Sequence, residues 1–168
     1  MFLFRDPRDV VVSFVYYVMN KLRTDPSYPY LSNKCSSQKD RYQAMIEGFQ
    51  DGNYRRPGIT EWYERFMRWS KDEGALVLKF EDLVGSNRKN ECERIIKYLM
   101  PNVKLQSDIL SLINVMEENI KPENSLTFRQ GKVGCWRDEF DEELKRITKE
   151  LCGPLLIDLG YETTNRWL

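Results

Sequence analysis

Arg5 and Ser13, near the start of the chain, are residue types that bind phosphate and other anions. The opening sequence MFLFRDPRDVVVSFVYY reads as a short buried strand over residues 1–4, followed by a helix. In open parallel sheets, ligands bind at the carboxyl ends of the strands, where helix N-termini offer backbone N–H groups to anions. Arg5 stands at such a strand end, so the sequence predicts an anion site there.

Ser13 lies in a helix that should begin at Pro7, after Asp6 as the N-cap. This helix is apolar nearly all round, which is typical of a buried helix. Asp9, Ser13 and Asn20 form one narrow polar stripe on it, and such a stripe must face a partner or a solvated cleft. From this segment alone, a hydrogen bond from Ser13 to a carbonyl one turn earlier is the simpler explanation.

The loop Phe128-Arg129-Gln130-Gly131-Lys132-Val133-Gly134 is a second candidate anion site. It combines cations with glycines, and glycine-containing loops let backbone N–H groups close around a phosphate. A solvated turn before the last helix explains the same residues, so this loop alone does not decide between the two.

The chain contains no histidine. This excludes the commonest general base, the commonest metal ligand and any Ser-His or Cys-His nucleophile. Cysteines stand at positions 35, 92, 135 and 152 without a CxxC pair, so nothing suggests a metal or a redox couple. Free thiols in a reducing compartment are favoured over disulfides, which indicates a cytoplasmic location.

Length and charge exclude several classes of protein. At 168 residues the chain fits one domain with a single hydrophobic core. Its 26 Lys and Arg residues balance 26 Asp and Glu residues, so no overall field favours nucleic acid or an anionic membrane as a partner. No stretch approaches the roughly 18 apolar residues of a membrane span.

The order of strand, helices, strand and helices predicts the α/β class, with helices covering a parallel sheet. Only two strands stand out, at 1–4 and 75–80, and two parallel strands make a poor sheet. We therefore expect an N-terminal portion of the domain to precede residue 1. Segments 23–38 and 51–58 should be loops. Helices are expected over residues 7–21, 39–49, 59–72, 87–99, 107–118 and 138–151.

Several residues are expected to serve the structure alone. Four apolar residues recur at helical spacing in the segment 59–72 and should face the core: Ile59, Trp62, Phe66 and Trp69. Trp136 should anchor the last helix by packing. Glu81 and Asp82 should cap the helix after the second strand or satisfy loop N–H groups.

Three segments together carry a resemblance to a known family. RDPRDVVVSF begins at residue 5, KFEDL at residue 79 and FRQGKVGCWRDEF at residue 128. In this order and at these separations they resemble the sulfotransferases that use 3'-phosphoadenosine 5'-phosphosulfate (PAPS), and the cytosolic type most closely. The resemblance covers nearly the whole chain and corresponds to the C-terminal two-thirds of the family. It implies a three-layer, P-loop-NTPase-like α/β fold, truncated at the N-terminus, with residues 1–168 as a single, partial domain.

The resemblance also implies which residues bind the nucleotide. In the family, an arginine at the strand end and a serine eight residues later bind the 3'-phosphate, and these match Arg5 and Ser13. A late Arg-Lys-Gly loop contacts the same phosphate, and it matches Arg129, Gln130 and Gly131.

Three further positions are assigned by the same resemblance. Phe80 replaces a tyrosine whose ring lies near the nucleotide, while Ser111 and Ile113 align with positions that contact adenine. The chain departs from the family at Gln130, which replaces a lysine, and Lys132 is the candidate to restore the lost charge. Cys135 stands where the family often has aspartate.

The family's P-loop-like segment, with its lysine and hydroxyl residues, has no match here, and neither does the histidine that serves as general base. We expect another segment or another chain to supply them, with activity through an unexpected base as the other route. The implied reaction moves a sulfuryl group from PAPS to a hydroxyl or amine of a small molecule, without a metal. The Tyr- and Pro-rich segment 24–33 is a candidate wall of the acceptor pocket. The competing class is a catalytically inactive module that binds nucleotide or a partner.

Overall fold

The computed structural model describes residues 1–103, 105–121, 124, 131–164 and 166–167. Within these residues the elements are, in chain order, β1 (Phe2–Phe4), α1 (Pro7–Asn20), α2 (Tyr28–Asn33), α3 (Gln38–Glu47), β2 (Gly48–Asp51), β3 (Tyr54–Pro57), α4 (Ile59–Met67), β4 (Val77–Lys79), α5 (Phe80–Val84), α6 (Arg88–Leu99), α7 (Gln106–Asn119), α8 (Trp136–Glu139) and α9 (Glu142–Asp158). The chain forms two compact units. One contains residues 1–5 and 68–131, and the other contains residues 6–67 and 132–168.

The first unit is built on a two-stranded parallel sheet. β1 pairs with β4 in a register that places Phe2 opposite Val77 and Phe4 opposite Lys79. Helices α5, α6 and α7 follow β4 along the chain. A parallel sheet with helices confirms the predicted α/β class.

Arg94 connects helix α6 to β4 through a hydrogen bond. Its guanidinium donates to the Val77 carbonyl at 3.1 Å and forms an ion pair with the buried Glu91 at 2.6 Å. The same helix packs on α7 through a small core, because both helices present apolar residues at helical spacing. The buried members of this core are Cys92, Ile96, Ile109 and Ile113.

The second unit surrounds helix α1. As predicted, Asp6 is the N-cap and Pro7 opens the helix, and the Asp6 carboxylate accepts the Arg8 backbone N–H at 2.9 Å. Four valines bury the apolar side of α1: Val11, Val12, Val15 and Val18. Helix α3 begins at a capping box in which Ser37 and Asp40 satisfy each other's backbone N–H groups.

The predicted loop at residues 51–58 is wrong, because most of this segment belongs to an antiparallel hairpin of β2 and β3. The turn between the strands contains Gly52 at φ 57°, a conformation that glycine adopts without strain. Gly48, which opens β2 at φ 84°, also leaves no room for a side chain, since a Cβ there would lie 2.8 Å from the Arg56 carbonyl oxygen. The sequence did not predict these strands because most of their residues are not apolar.

Two helix predictions also need correction. The expected loop at 23–38 contains the short helix α2, in which Pro29 occupies the first turn, where proline is tolerated. The expected last helix at 138–151 is two helices, and α9 continues through Pro154 to Asp158. Burial of Cys152, Leu155 and Leu156 on either side of the proline outweighs its local cost.

The aromatic residues after the hairpin are less buried than their spacing predicts. Ile59 is buried, but Phe66 is 44% exposed and Trp69 is 66% exposed. Helix α4 ends at Met67 and a 3-10 turn follows over Arg68–Lys71, so the helical spacing does not extend to Trp69. Trp62 and Phe66 pack edge to face instead, with ring centroids 5.2 Å apart.

All four cysteines are free, as the sequence predicts, and the structure shows that all four are also buried. Burial raises the pKa of the Cys152 thiol to about 11, so this thiol stays protonated at neutral pH. Within the described ranges, no helix combines the length and the apolar character needed to cross a membrane.

Arg8, at the start of α1, is buried with 1% of its surface exposed. Its guanidinium forms ion pairs with Asp6 at 2.7 Å and Glu162 at 2.5 Å. It also lies 4.0 Å from the ring centroid of Trp136 and 4.9 Å from that of Trp167. Burial alone would lower the pKa of Arg8, but hydrogen bonds and charges from the two carboxylates outweigh it and hold the pKa above its usual value. Arg8 thereby joins the C-terminal segment to the start of α1.

Replacing Arg8 by methionine should destabilise the protein strongly. Arg8→Met leaves Asp6 and Glu162 without their cation, and breaking a buried ion pair from one side costs roughly 3 to 5 kcal/mol. Urea unfolding measures this loss. The control Arg55→Gln removes an exposed ion pair with Glu61 and should cost less than about 1 kcal/mol. Equal losses for the two variants would contradict the role given to Arg8.

Candidate functional site

The carboxyl edge of the parallel sheet brings Arg5 and Phe80 together. Because Phe4 lies opposite Lys79 in parallel strands, the next residue of each strand emerges at the same edge. The Arg5 guanidinium carbon lies 4.5 Å from the centroid of the Phe80 ring. A cation over an aromatic face is attracted by the ring quadrupole, so the Phe80 ring orients the guanidinium plane at the carboxyl edge of the sheet.

The sequence predicted that Phe80 would be the last residue of a strand. In the structure it is the first residue of α5. Glu81 and Asp82 therefore lie in the first turn of α5, and neither caps the helix from outside. Carboxylates in a first turn still favour the helix, because they face its positive dipole end. The helix begins directly at the end of β4, and the Phe80 ring lies against the Arg5 guanidinium.

Ser111 and Ile113 do not lie on one side of α7. Ile113 is 3% exposed and packs in the core between α6 and α7, whereas Ser111 is exposed. Two residues that are two positions apart on a helix point about 200° apart, so a residue and its second neighbour face opposite sides. The structure therefore presents Ser111 to the surface and holds Ile113 inside.

Ser13 belongs to the second unit, on helix α1, and is partly buried. The predicted polar stripe of this helix is not one continuous solvated surface. Asp9, one turn before Ser13, is fully buried at 0% exposure, whereas Asn20 is exposed and donates to the Tyr16 carbonyl at 2.8 Å.

Asp9 holds the segment that follows the predicted late loop. Its two carboxylate oxygens accept the backbone N–H groups of Gly134 at 2.7 Å and Trp136 at 3.0 Å. Gly134 adopts φ 76°, which favours glycine, and Trp136 opens α8. The carboxylate thus caps α8 from a residue more than 120 positions away. Asp9 belongs to the polar stripe predicted from the sequence, but its role as a cap of α8 was not predicted. The one signal for that role in the sequence of α1 is a carboxylate on an otherwise apolar helix.

The late loop itself is described only in part. Arg129 and Gln130 lie outside the described residues. Gly131 is exposed with φ 62°, and the neighbouring Lys132 forms an ion pair with Asp138 at 2.6 Å. This contact raises the pKa of Lys132 and lowers that of Asp138. Lys132, the candidate replacement for the family's lysine, is thus already paired on the surface.

Trp136 is buried, as predicted for a packing anchor. It packs against Phe140 with ring centroids 6.1 Å apart and against Trp167 at 5.8 Å. Among the described residues, no group of three or more Cys, Asp or Glu side chains is arranged to hold a metal ion.

Replacing Asp9 by alanine should loosen the start of α8. Asp9→Ala leaves two buried N–H groups without an acceptor, and the expected loss is about 2 to 4 kcal/mol of unfolding free energy. The matched control is Asp141→Ala, because Asp141 caps α9 from a more exposed position and should cost about 1 kcal/mol. Chemical denaturation of both variants measures the difference, and a loss for Asp9→Ala no larger than for the control would contradict the proposed anchor.

Comparisons with known proteins give the chain a family. The sequence pattern of the Sulfotransferase domain matches residues 1–160. Sulfotransferase 6B1 of Danio rerio is 25% identical over 160 aligned residues, which cover 89% of this chain and 49% of the relative. Sulfotransferase 1E1 of Mus musculus is 23% identical over 164 aligned residues, which cover 86% of this chain and 50% of the relative.

The chain spans about half the length of the curated relatives it matches. The family pattern nevertheless extends over almost all of its 168 residues. On this match, the chain belongs to the Sulfotransferase domain family.

Proposed function

We propose that this chain carries the 3'-phosphate and adenine side of a sulfotransferase site. The reaction would transfer a sulfuryl group from PAPS to a hydroxyl or amine of a small-molecule acceptor. The observation that supports this most directly is the placement of Arg5 over Phe80 at the carboxyl edge of the parallel sheet. This is where open α/β sheets bind their ligands.

The chemistry of these residues suits a phosphorylated nucleotide. Arg5 supplies a permanent positive charge and paired N–H donors for a phosphate. Phe80 supplies a ring that holds the guanidinium and offers an apolar edge beside it. Ser13 would donate its hydroxyl to the same 3'-phosphate, and Arg129, Gln130 and Gly131 would close over it. When bound, PAPS supplies the sulfuryl group, while this chain binds and orients the nucleotide.

Ser111 is the residue of α7 that we propose for direct contact with adenine, because its side chain reaches the surface. Ile113 was assigned to adenine by the resemblance, but its burial favours an indirect contribution in which it fixes α7 against α6. Asp9 supports the site in a similar way, since it fixes the segment after the late loop to the helix of Ser13.

The proposal extends to the whole protein. We propose a single domain of the three-layer, P-loop-NTPase-like sulfotransferase type, in which a further segment or another chain supplies the 5'-phosphosulfate site and the general base. In-line sulfuryl transfer needs positioned cations and donors for its developing charge, and this chain has no histidine to serve as a base. A cytoplasmic location is proposed on the four free thiols and the cytosolic type of the resemblance.

The absence of histidine also favours a second candidate, a catalytically inactive module that binds nucleotide or a partner. The two functions differ in turnover. Incubation with PAPS and a panel of phenols and alcohols should release adenosine 3',5'-bisphosphate if the chain is active. Binding of that nucleotide without any release from PAPS would favour the module.

Replacing Arg5 should weaken nucleotide binding. Arg5→Gln removes one charge-assisted phosphate contact and should cost roughly 1.5 to 3 kcal/mol of binding free energy for adenosine 3',5'-bisphosphate. Isothermal titration calorimetry measures this loss. The control Arg68→Gln removes an exposed charge from the same unit and should leave the affinity unchanged. Unchanged affinity in Arg5→Gln would remove Arg5 from the site.

Replacing Ser13 separates its two explanations. If Ser13 donates to the 3'-phosphate, Ser13→Ala should lower the affinity for adenosine 3',5'-bisphosphate by about 0.5 to 1.5 kcal/mol, with little change in the free energy of unfolding. If the hydroxyl only bonds back to a carbonyl of α1, the affinity stays constant. Calorimetry and urea unfolding of the same sample measure both quantities.

A further inference from the structure

One face of the β2–β3 hairpin is rich in aromatic residues. Alternation along the strands and the pairing of Phe49 with Arg56 place Phe49, Tyr54 and Arg56 on this face. The Phe49 ring stacks on Tyr30 of α2 with centroids 3.9 Å apart, and the Tyr54 hydroxyl lies 3.0 Å from that of Ser27. The hairpin face is therefore packed against α2 and its N-cap residue, Ser27.

Arg56 is the cation on this face, and it lies over an aromatic ring. Its guanidinium carbon is 4.3 Å from the centroid of Phe14 on α1. The side chain is partly buried, and its Nε atom is buried without a hydrogen-bond partner among the described residues. Phe14 directly follows Ser13, so Arg56 contacts the helix that carries the proposed phosphate ligand.

The two carboxylates nearest to Arg56 in the sequence form ion pairs with other cations. Asp51 forms an ion pair with Lys34 at 2.8 Å, and Glu61 pairs with Arg55 at 2.5 Å. Arg8, which is fully buried in the same unit, has two carboxylates of its own. In the part of the chain that the structure describes, Arg56 forms no ion pair.

A partly buried cation without a counter-charge favours binding of an anion. Removing a charge from water is costly unless it is paired and hydrogen-bonded. A guanidinium stacked on a ring keeps its N–H edges free, and these edges match the two oxygens of a carboxylate or phosphate. The surrounding rings of the hairpin favour an oxyanion that is carried on an apolar or aromatic skeleton.

We infer that Arg56, held over Phe14, binds an oxyanion, namely the carboxylate of an aromatic acceptor. That the bound aromatic carboxylate is an acceptor rests on the proposed function, whereas the oxyanion site at Arg56 does not. A phosphate of the nucleotide offers the same chemistry, so an experiment must distinguish the two sources.

The test titrates the full chain with 4-hydroxybenzoate, and with 4-hydroxybenzamide as a neutral ligand of the same shape, in the absence of nucleotide. The wild-type chain should prefer the carboxylate. Arg56→Gln should weaken 4-hydroxybenzoate at least about tenfold and change 4-hydroxybenzamide less than about twofold. Ligand-observed NMR titration measures both affinities. Arg56→Lys keeps the charge but not the planar pair of donors, and it should retain part of the preference.

Arg55→Gln is the matched control, because Arg55 is the neighbouring residue, is exposed and is already paired with Glu61. It should leave both affinities within about twofold of the wild type. Circular dichroism and the unfolding midpoint establish that each variant is folded. If Arg56→Gln does not fold, the Arg56→Lys titration carries the test, and an unchanged preference for the carboxylate in that variant counts against the site.

The inference is overturned if the wild-type chain does not distinguish the carboxylate from the amide, or if Arg56→Gln keeps the preference. A third titration uses adenosine 3',5'-bisphosphate. If Arg56→Gln weakens this ligand and leaves 4-hydroxybenzoate unchanged, the oxyanion belongs to the nucleotide and the acceptor assignment is wrong. An Arg56-dependent preference for carboxylate in a chain that binds no adenosine nucleotide would support the site and contradict the proposed function.

Discussion

Charges buried at the start of α1 constrain much of the second unit. A buried charge is tolerated only when it is paired and hydrogen-bonded. Arg8 meets this requirement through Asp6 and Glu162, and Asp9 meets it through the backbone N–H groups of Gly134 and Trp136. These contacts join the C-terminal segment and the start of α8 to the helix that carries Ser13. The helix is therefore positioned by its charges as well as by its valines.

The same reasoning separates structural cations from candidate ligands. Arg8 lies between two carboxylates and two indole rings, so its charge is already paired within the fold. Arg56 instead stacks on a single phenylalanine ring and forms no ion pair within the part of the chain that the structure describes. A guanidinium that is oriented by a ring and lacks a carboxylate partner retains N–H edges for an oxyanion, which is why binding is proposed for Arg56 and a structural role for Arg8. Binding is proposed for Arg5 because of its place at the carboxyl edge of the parallel sheet.

Local sequence signals predicted the elements that depend on local chemistry. Asp6 and Pro7 indicated the start of α1, and the apolar run around Leu78 indicated β4. The β2–β3 hairpin was missed because each strand has only four residues and most of them are not apolar. The predicted end of the last helix at residue 151 was too early. A proline such as Pro154 usually ends a helix, but the packing of its buried neighbours stabilises α9 beyond it.

The site was predictable where it follows from strand geometry or helical period. The neighbouring positions of Arg5 and Phe80 follow from two parallel strands, and the opposite faces of Ser111 and Ile113 follow from α-helical geometry. The partners of Asp9 lie more than 120 residues away, and no local pattern indicates them. The role proposed for Arg56 could not be predicted for a related reason, because its contact with Phe14 forms only when the hairpin packs on α1.

We propose above all that this chain binds a nucleotide through its 3'-phosphate. Calorimetric titration of the wild-type chain with adenosine 3',5'-bisphosphate and with adenosine 5'-phosphate tests it directly, because the two ligands differ only in that group. We expect a preference of about tenfold or more for the bisphosphate. Equal affinities for the two nucleotides, or no binding of either, would contradict it.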